Sequence, residues 1–153
     1  MDIEFIVPGS TMGKQRPKFT RRGNFVKTYT PKKTMDYQKK VRIEYNKVAR
    51  GKKLEGAVKA DICAIYEPPK HVSKVTRTKM INGEIPYTKK YDIDNILKSV
   101  LDGLNQIAYD DDAQINEAHI TKMYGNNAMC QIKLSDEKHV IQPIIDLKDF
   151  NYE

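Results

Sequence analysis

Apolar residues alternate with polar ones at the start of the chain. Ile3, Phe5 and Val7 recur at every second position, which predicts a short opening strand halted by Pro8-Gly9. Residues 9–24 have no apolar period and read as a Gly-rich basic loop, followed by a brief strand at Phe25–Tyr29. Thr30-Pro31 supplies an N-cap and a first-turn proline for a helix over about 31–50, where Tyr37, Val41, Tyr45 and Val48-Ala49 recur at spacings of four and three. Gly51 is the expected C-cap. Val58, Ala60, Ile62, Ala64 and Tyr66 alternate as a half-buried strand that Pro68-Pro69 ends. Residues 70–90 are polar and basic, with Asn82-Gly83 marking a tight turn of a small hairpin. Ile96, Leu97, Val100, Leu101, Leu104 and Ile107 fall within a sector of about 140° on a helical wheel, a helix starting near Asn95 with Asp94 or Asn95 as cap. Two strands, 119–124 and 128–134, follow, joined as a terminal hairpin through Gly125-Asn126-Asn127. The order of elements predicts an α+β fold: a single domain with a mixed β-sheet flanked by helices. Residues 135–153 read as a charged tail with an apolar patch at Val140–Leu147 broken by Pro143.

Composition narrows this picture. A chain of 153 residues has room for one domain with a genuine core and hardly for two. No apolar run approaches the ~20 residues a membrane span needs, and the acidic start Met1-Asp2-Ile3-Glu4 is unlike a signal peptide, so a cytoplasmic protein is expected. Cys63 and Cys130 lie in strand-like contexts without the spacing of a zinc site and read as two buried free thiols. The net charge of +7 is unevenly spread: residues 1–60 hold 16 Lys and Arg against 5 Asp and Glu, residues 61–153 hold 11 against 15. A cationic half suits a polyanion, and a locally anionic half suits a bound cation.

The anionic half has a centre. Asp92 and Asp94 stand two apart just before the predicted helix, a spacing that in extended chain turns both carboxylates to one face. Their repulsion is relieved by a divalent ion that prefers oxygen, Mg²⁺ or Mn²⁺, and the helix N-terminus beside them suits phosphate oxygens. After the helix comes Asp110-Asp111-Asp112, and a short turn there can bring Asp112 back to the first pair as a cradle of three carboxylates. Taken singly, each motif has an ordinary structural reading, as a helix cap or a solvated loop. Jointly they point to metal-assisted chemistry.

Asp92-Ile93-Asp94-Asn95-Ile96-Leu97-Lys98 with Asp102, then Asp111-Asp112-Ala113-Gln114, resembles the signature of the RusA family of Holliday-junction resolvases, crossover-junction endodeoxyribonucleases found in bacterial chromosomes and prophages. Gly13-Lys14-Gln15-Arg16-Pro17-Lys18-Phe19 is similar to a basic motif of many members, and the likeness spans roughly residues 3–134. The resemblance implies a domain over 1–134 and a tail, 135–153, of undefined role. It also implies three essential carboxylates at Asp92, Asp94 and Asp112, an essential lysine at Lys98, and Asp111 as a further candidate for the metal, while Asp110 is additional here. It implies a homodimer that binds four-way junctions and resolves them by paired symmetric nicking in recombination and repair, with Mg²⁺ as cofactor and Mn²⁺ as substitute. Asp102 is expected to support Lys98. Lys14, Arg16, Lys18, Arg21, Arg22, Lys89 and Lys90, with Lys70, Lys74, Arg77 and Lys79, are the expected contacts to DNA backbone. Phe19, Phe25 and Tyr29 are read as core, with stacking at an opened junction as the alternative. Two rival functions fit the residues less well: a flap- or fork-cutting metal nuclease, and a non-enzymatic basic protein that binds branched DNA. A metal-dependent glycosyltransferase would need more chain than this.

Overall fold

The period-two stretches pair into one sheet because each has an apolar face to bury. The computed structural model describes residues 1–145 and Lys148. Among these the elements run β1 (Asp2–Pro8), β2 (Lys18–Arg22), β3 (Phe25–Tyr29), α1 (Lys32–Ala49), β4 (Val58–Tyr66), α2 (Lys74–Ile81), α3 (Ile93–Leu104), β5 (Ile115–Tyr124) and β6 (Met129–Ser135), with a 3-10 turn at Asp112–Gln114. The main sheet has the order β1-β6-β4-β5 and is mixed: β6 is antiparallel to β1 and β4, whereas β4 and β5 are parallel. The expected α+β class is therefore observed.

Register places the apolar residues on one face. Ile3, Phe5 and Val7 lie opposite Leu134, Ile132 and Cys130, which lie in turn opposite Ala60, Ile62 and Ala64. Tyr37, Val41 and Tyr45 of α1 and Val100 and Leu104 of α3 close over that face in a single core. Burial of each such large side chain contributes about 1.5–3 kcal/mol. The two helices approach closely at Gly103, where a Cβ would stand 3.3 Å from the Cα of Gln38, and Arg42 Nε donates to the Gly103 carbonyl at 2.7 Å. Both helices lie on the same side of the sheet. The opposite face, around Glu4, Ile6, Cys63, Thr121 and Gln131, carries no helix among the described residues and forms an open concavity. Both cysteines are free. Cys130 is buried, which pushes its thiol up to about 11, and Cys63 is half-buried.

Four local expectations need correction. The last two strands are not a hairpin, since β4 lies between β5 and β6. The connection crosses the end of β4, where Gly125 N–H donates to the Tyr66 carbonyl at 2.9 Å. A Cβ on Gly125 would meet Ile65 Cγ2 at 2.5 Å. That methyl sits on the branch point of a stiff side chain and cannot swing away freely. Gly125→Ala is therefore expected to cost about 1–3 kcal/mol, a fall of roughly 3–10 °C in Tm by calorimetry for a domain of this size. An unchanged Tm would show that the crossing has slack. The second correction concerns Asn82-Gly83, which end a helix rather than turn a hairpin: Ser73 caps α2 by accepting from Thr76 N–H, and Asn82 closes it. Third, part of the basic loop is a strand, β2, paired antiparallel with β3. Fourth, Asp92 rather than Asp94 or Asn95 caps α3, its carbonyl accepting from Ile96 N–H at 3.1 Å.

Smaller differences are a C-cap for α1 at Arg50, in the left-handed region (φ 51), one residue before the expected glycine, and an exposed Val48. Past β6, the Asp136 carboxylate takes the N-terminal ammonium of Met1 at 2.7 Å and the Glu55 N–H at 3.0 Å, tying the start of the tail to the domain. Val140, Ile141, Ile144 and Ile145 are exposed. The rest of the expected apolar patch and tail, 146–147 and 149–153, lies outside the described residues. No helix among the described residues is long and apolar enough to cross a membrane.

Candidate active site

The site grows from the amphipathic pattern of α3. Burying Ile96, Val100 and Leu104 against the sheet sends Asp94, Lys98 and Asp102, spaced four apart, up the opposite side of the helix. Asp92 is the N-cap by backbone geometry, yet its side chain makes no capping hydrogen bond. Asp92 and Asp94 are both exposed, and among the described residues neither carboxylate has a hydrogen-bond or ion-pair partner. Two uncompensated carboxylates beside the free N–H groups of a helix start form a site with room for a cation and an anion together.

Further along the helix the acids are engaged. Lys98 Nζ lies 3.1 Å from Asp102 Oδ1 and 3.5 Å from Asp112 Oδ2. These carboxylates, Asp102 foremost, raise the lysine's pKa above its ordinary value. Lys98 is thus a fixed cation near neutral pH and does not serve as a proton acceptor. Asp102 also receives Lys14 Nζ at 2.6 Å. Asp102 supports Lys98 as expected, whereas Lys14 is drawn into this ion-pair chain instead of standing free.

The turn after α3 sends three consecutive aspartates in three directions. Buried Tyr109 anchors the turn, its hydroxyl donating to the Leu101 carbonyl at 2.7 Å, while Ala108 N–H donates to Leu104 O at 2.8 Å. Asp110 points to solvent, 86% exposed, and pairs with Lys53 at 2.7 Å. Asp111 caps the 3-10 turn: its Oδ1 accepts from Ala113 N–H at 2.8 Å, and Gln114 Oε1 accepts in return from the Asp110 and Asp111 N–H groups. Gln114 Nε2 donates onward to Gly56 O at 2.9 Å, fixing the turn to the loop before β4. Asp112 alone of the three faces α3, against Lys98. Among the described residues, no three His, Cys, Asp or Glu side chains stand close enough together to hold a metal ion as they are. What the fold brings together is Asp112 with Lys98, one helical turn from Asp94.

Two further residues position the site. Gly13 lies against the start of α3, where a Cβ would be 2.9 Å from Tyr91 Cβ and 3.0 Å from Asn95 Cβ. This close approach lets Lys14 N–H donate to Asn95 O at 2.8 Å. Lys122 on β5 donates to the carbonyls of Lys89 at 2.9 Å and Tyr91 at 2.8 Å, clamping the loop segment that delivers Asp92. Nothing in the sequence pattern marked Lys122, since a lone lysine in a strand reads as solvated; Gly13 was legible only as part of a basic motif. Of the expected DNA contacts, Arg16, Lys18, Arg21, Arg22, Lys89 and Lys90 are exposed, the last with its ammonium 5.0 Å from the centroid of the Tyr91 ring.

Residues 8–135 match the family described as endodeoxyribonuclease RusA. The chain belongs to the RusA family. It is accordingly a DNA endonuclease of the kind that resolves Holliday junctions, and it binds branched DNA. It is also similar to an uncharacterised protein of Bacillus subtilis (strain 168), YqaN, with 28% identity over 137 residues, 88% of this chain and 96% of that protein. RusA-type nucleases depend on a divalent metal. The donor set here fits one: the acids offer only hard carboxylate oxygens, and among the described residues no cation neutralises Asp92 or Asp94.

Proposed function

We propose that Asp92, Asp94 and Asp112 hold Mg²⁺, with Mn²⁺ as a working substitute, and that Lys98 steadies the scissile phosphate of a four-way junction. One observation carries this reading: the Lys98 ammonium reaches Asp112 at 3.5 Å from a helix whose first turn bears Asp94, so the turn after α3 returns Asp112 to the helix that carries Asp94. A bound Mg²⁺ would supply Lewis acidity, neutralising charge on phosphoryl oxygens and acidifying water. The protein's own part follows from the geometry. Asp102 holds Lys98 extended, so that the ammonium can be shared between Asp112 and a phosphate oxygen. Asp111 serves the 3-10 turn as its cap, which favours Asp112 over Asp111 as the ligand.

The same reading includes a homodimer that nicks two strands symmetrically. The helix-free face of the sheet, with Ile6 half exposed in water, is the surface available to a second copy. Residues 1–134 act as the nuclease domain, and 135–153 as an appendage to it. Arg16, Lys18, Arg21, Arg22, Lys89 and Lys90 meet DNA phosphates and make affinity fall with salt, while Lys14 contributes through Asp102.

A panel of four-way, flap, fork and linear substrates, each with Mg²⁺, Mn²⁺, Ca²⁺ or chelator, tests the proposal. Paired nicks in the four-way junction with Mg²⁺ or Mn²⁺, and none with chelator, are expected. Equal cutting of linear duplex counts against the junction, and cutting that survives chelation counts against the metal.

A further inference from the structure

The ribbon formed by β2 and β3 stands apart from both the core and the aspartates. Every residue of the two strands is exposed. Gly23, at φ +61, makes the two-residue turn between them. The aromatic residues are not core: Phe25 is 83% exposed, Phe19 72% and Tyr29 42%. A two-stranded ribbon of this length is marginal in water without something to pack on.

Its register sorts the side chains into two faces. In an antiparallel pair, partners project from the same side, and successive residues alternate. Lys18 pairs with Tyr29, Thr20 with Lys27 and Arg22 with Phe25, so one face interleaves three cations with two aromatic rings. Phe19, Thr28, Arg21 and Val26 make up the other. No acid occurs between residues 18 and 29, so a second copy of this ribbon would meet it with like charge.

The stem of the ribbon is fixed beside the candidate active site. Gln15 N–H donates to Thr34 Oγ1 at 3.2 Å and Lys14 N–H to Asn95 O at 2.8 Å, which fastens the chain ahead of β2 to both α1 and the start of α3. Five residues of strand reach about 16 Å from there, roughly five base steps of ~3.4 Å along a DNA strand.

We infer that the Phe25–Tyr29 face of this ribbon takes unstacked nucleotides at the branch point, its rings stacking on base faces while Lys18, Arg22 and Lys27 lie against the flanking phosphates. Bases within intact duplex hide their faces, so rings interleaved with cations suit opened DNA better than a groove. The inference rests on the four-way junction being the substrate, and it deepens that reading by assigning where the centre of the junction is gripped.

The test uses the full-length protein in Ca²⁺ with a four-way junction carrying 2-aminopurine at the branch point. The unsubstituted protein raises the fluorescence as the base unstacks. Phe25→Ala/Tyr29→Ala loses most of that rise and at least ~10-fold in junction affinity, with linear-duplex affinity within about twofold and the melting temperature unchanged. Phe25→Tyr/Tyr29→Phe restores both. Replacing Lys18, Arg22 and Lys27 by alanine weakens binding to junction and duplex alike and lowers the salt slope by roughly 3. Three results overturn the inference: an undiminished rise in the double alanine variant, equal losses on duplex and junction, or a shift in oligomeric state on sedimentation, which would make the ribbon a contact between copies. Asp94→Asn separates the two readings. Loss of cutting in that variant with the rise retained supports both, whereas a rise from an unsubstituted protein that shows no metal-dependent cutting sinks the catalytic reading while leaving the ribbon's role intact.

Discussion

Asp94→Asn and Asp112→Asn are each expected to bind a four-way junction about as well as the unsubstituted enzyme and to cut it at least about 100-fold more slowly. Asparagine keeps the shape of the side chain and removes only the charge. Asp94 has no partner in the described structure, and Asp112 has only the half-exposed Lys98. Neither change should therefore cost much stability, since a surface ion pair contributes about 0–1 kcal/mol, and a loss of turnover reports on chemistry. Asp110→Asn is the matched control from the same turn. Asp110 is 86% exposed and, among the described residues, its side chain pairs only with Lys53, so cutting and Tm should both be close to unchanged. Asp111→Ala separates by a different signature: losing the cap lowers Tm, at a cost of about 0.5–2 kcal/mol, together with a partial loss of activity as the turn loosens. Single-turnover cleavage and junction binding in Ca²⁺ measure these quantities separately. Cutting by Asp94→Asn at the unsubstituted rate would remove the carboxylate cradle from the mechanism, and an equal loss in Asp110→Asn would mean the wrong member of the triplet is assigned.

How far the sequence foretold this depends on whether each feature is local and half-buried. β4 was legible to the residue, because a strand with one face in the core alternates strictly from Val58 to Tyr66. α1 was legible for the same reason at period 3.6. α2 was not: none of its residues is buried, so it has no apolar stripe, and its Ser73 cap bonds to Thr76 without the acidic residue that usually flags a helix start. The ribbon is fully exposed and so shows no alternation, although Gly23-Asn24 between two short runs was a turn signal in plain view. The position of β4 between β5 and β6 is a pairing choice made across about sixty residues, and no local period encodes it. The site divides along the same line. The aspartates could be found from their spacing. The role of Asp111 was written in Asp111-x-x-Gln114, a capping pattern that the triple aspartate obscured. The Lys14–Asp102 pair, 88 positions apart, was beyond any local pattern.

Tyr109 is where stability and catalysis should be hardest to separate, and its substitutions carry the largest expected loss of fold. The side chain is fully buried, and its hydroxyl ties the turn bearing Asp112 to the last turn of α3 through Leu101 O. Burial also raises the phenol's pKa far above its ordinary value, so the hydroxyl remains a donor across the working pH range. Tyr109→Ala removes a core ring and is expected to cost about 3–5 kcal/mol, a drop of roughly 6–20 °C in Tm. Tyr109→Phe keeps the ring and deletes one hydrogen bond, for about 1 kcal/mol, and leaves the protein folded at the assay temperature. The phenylalanine variant is thus the informative one. If the hydroxyl sets the distance between Asp112 and α3, kcat should fall on the order of 10-fold, since a displacement near 1 Å can cost up to about 100-fold. KM and junction affinity should hold within about twofold, and the turn should show faster hydrogen exchange at Asp111–Gln114. A phenylalanine variant that cuts normally would assign the placement of Asp112 to the Gln114–Gly56 contact on the other side of the turn, leaving Tyr109 as core alone.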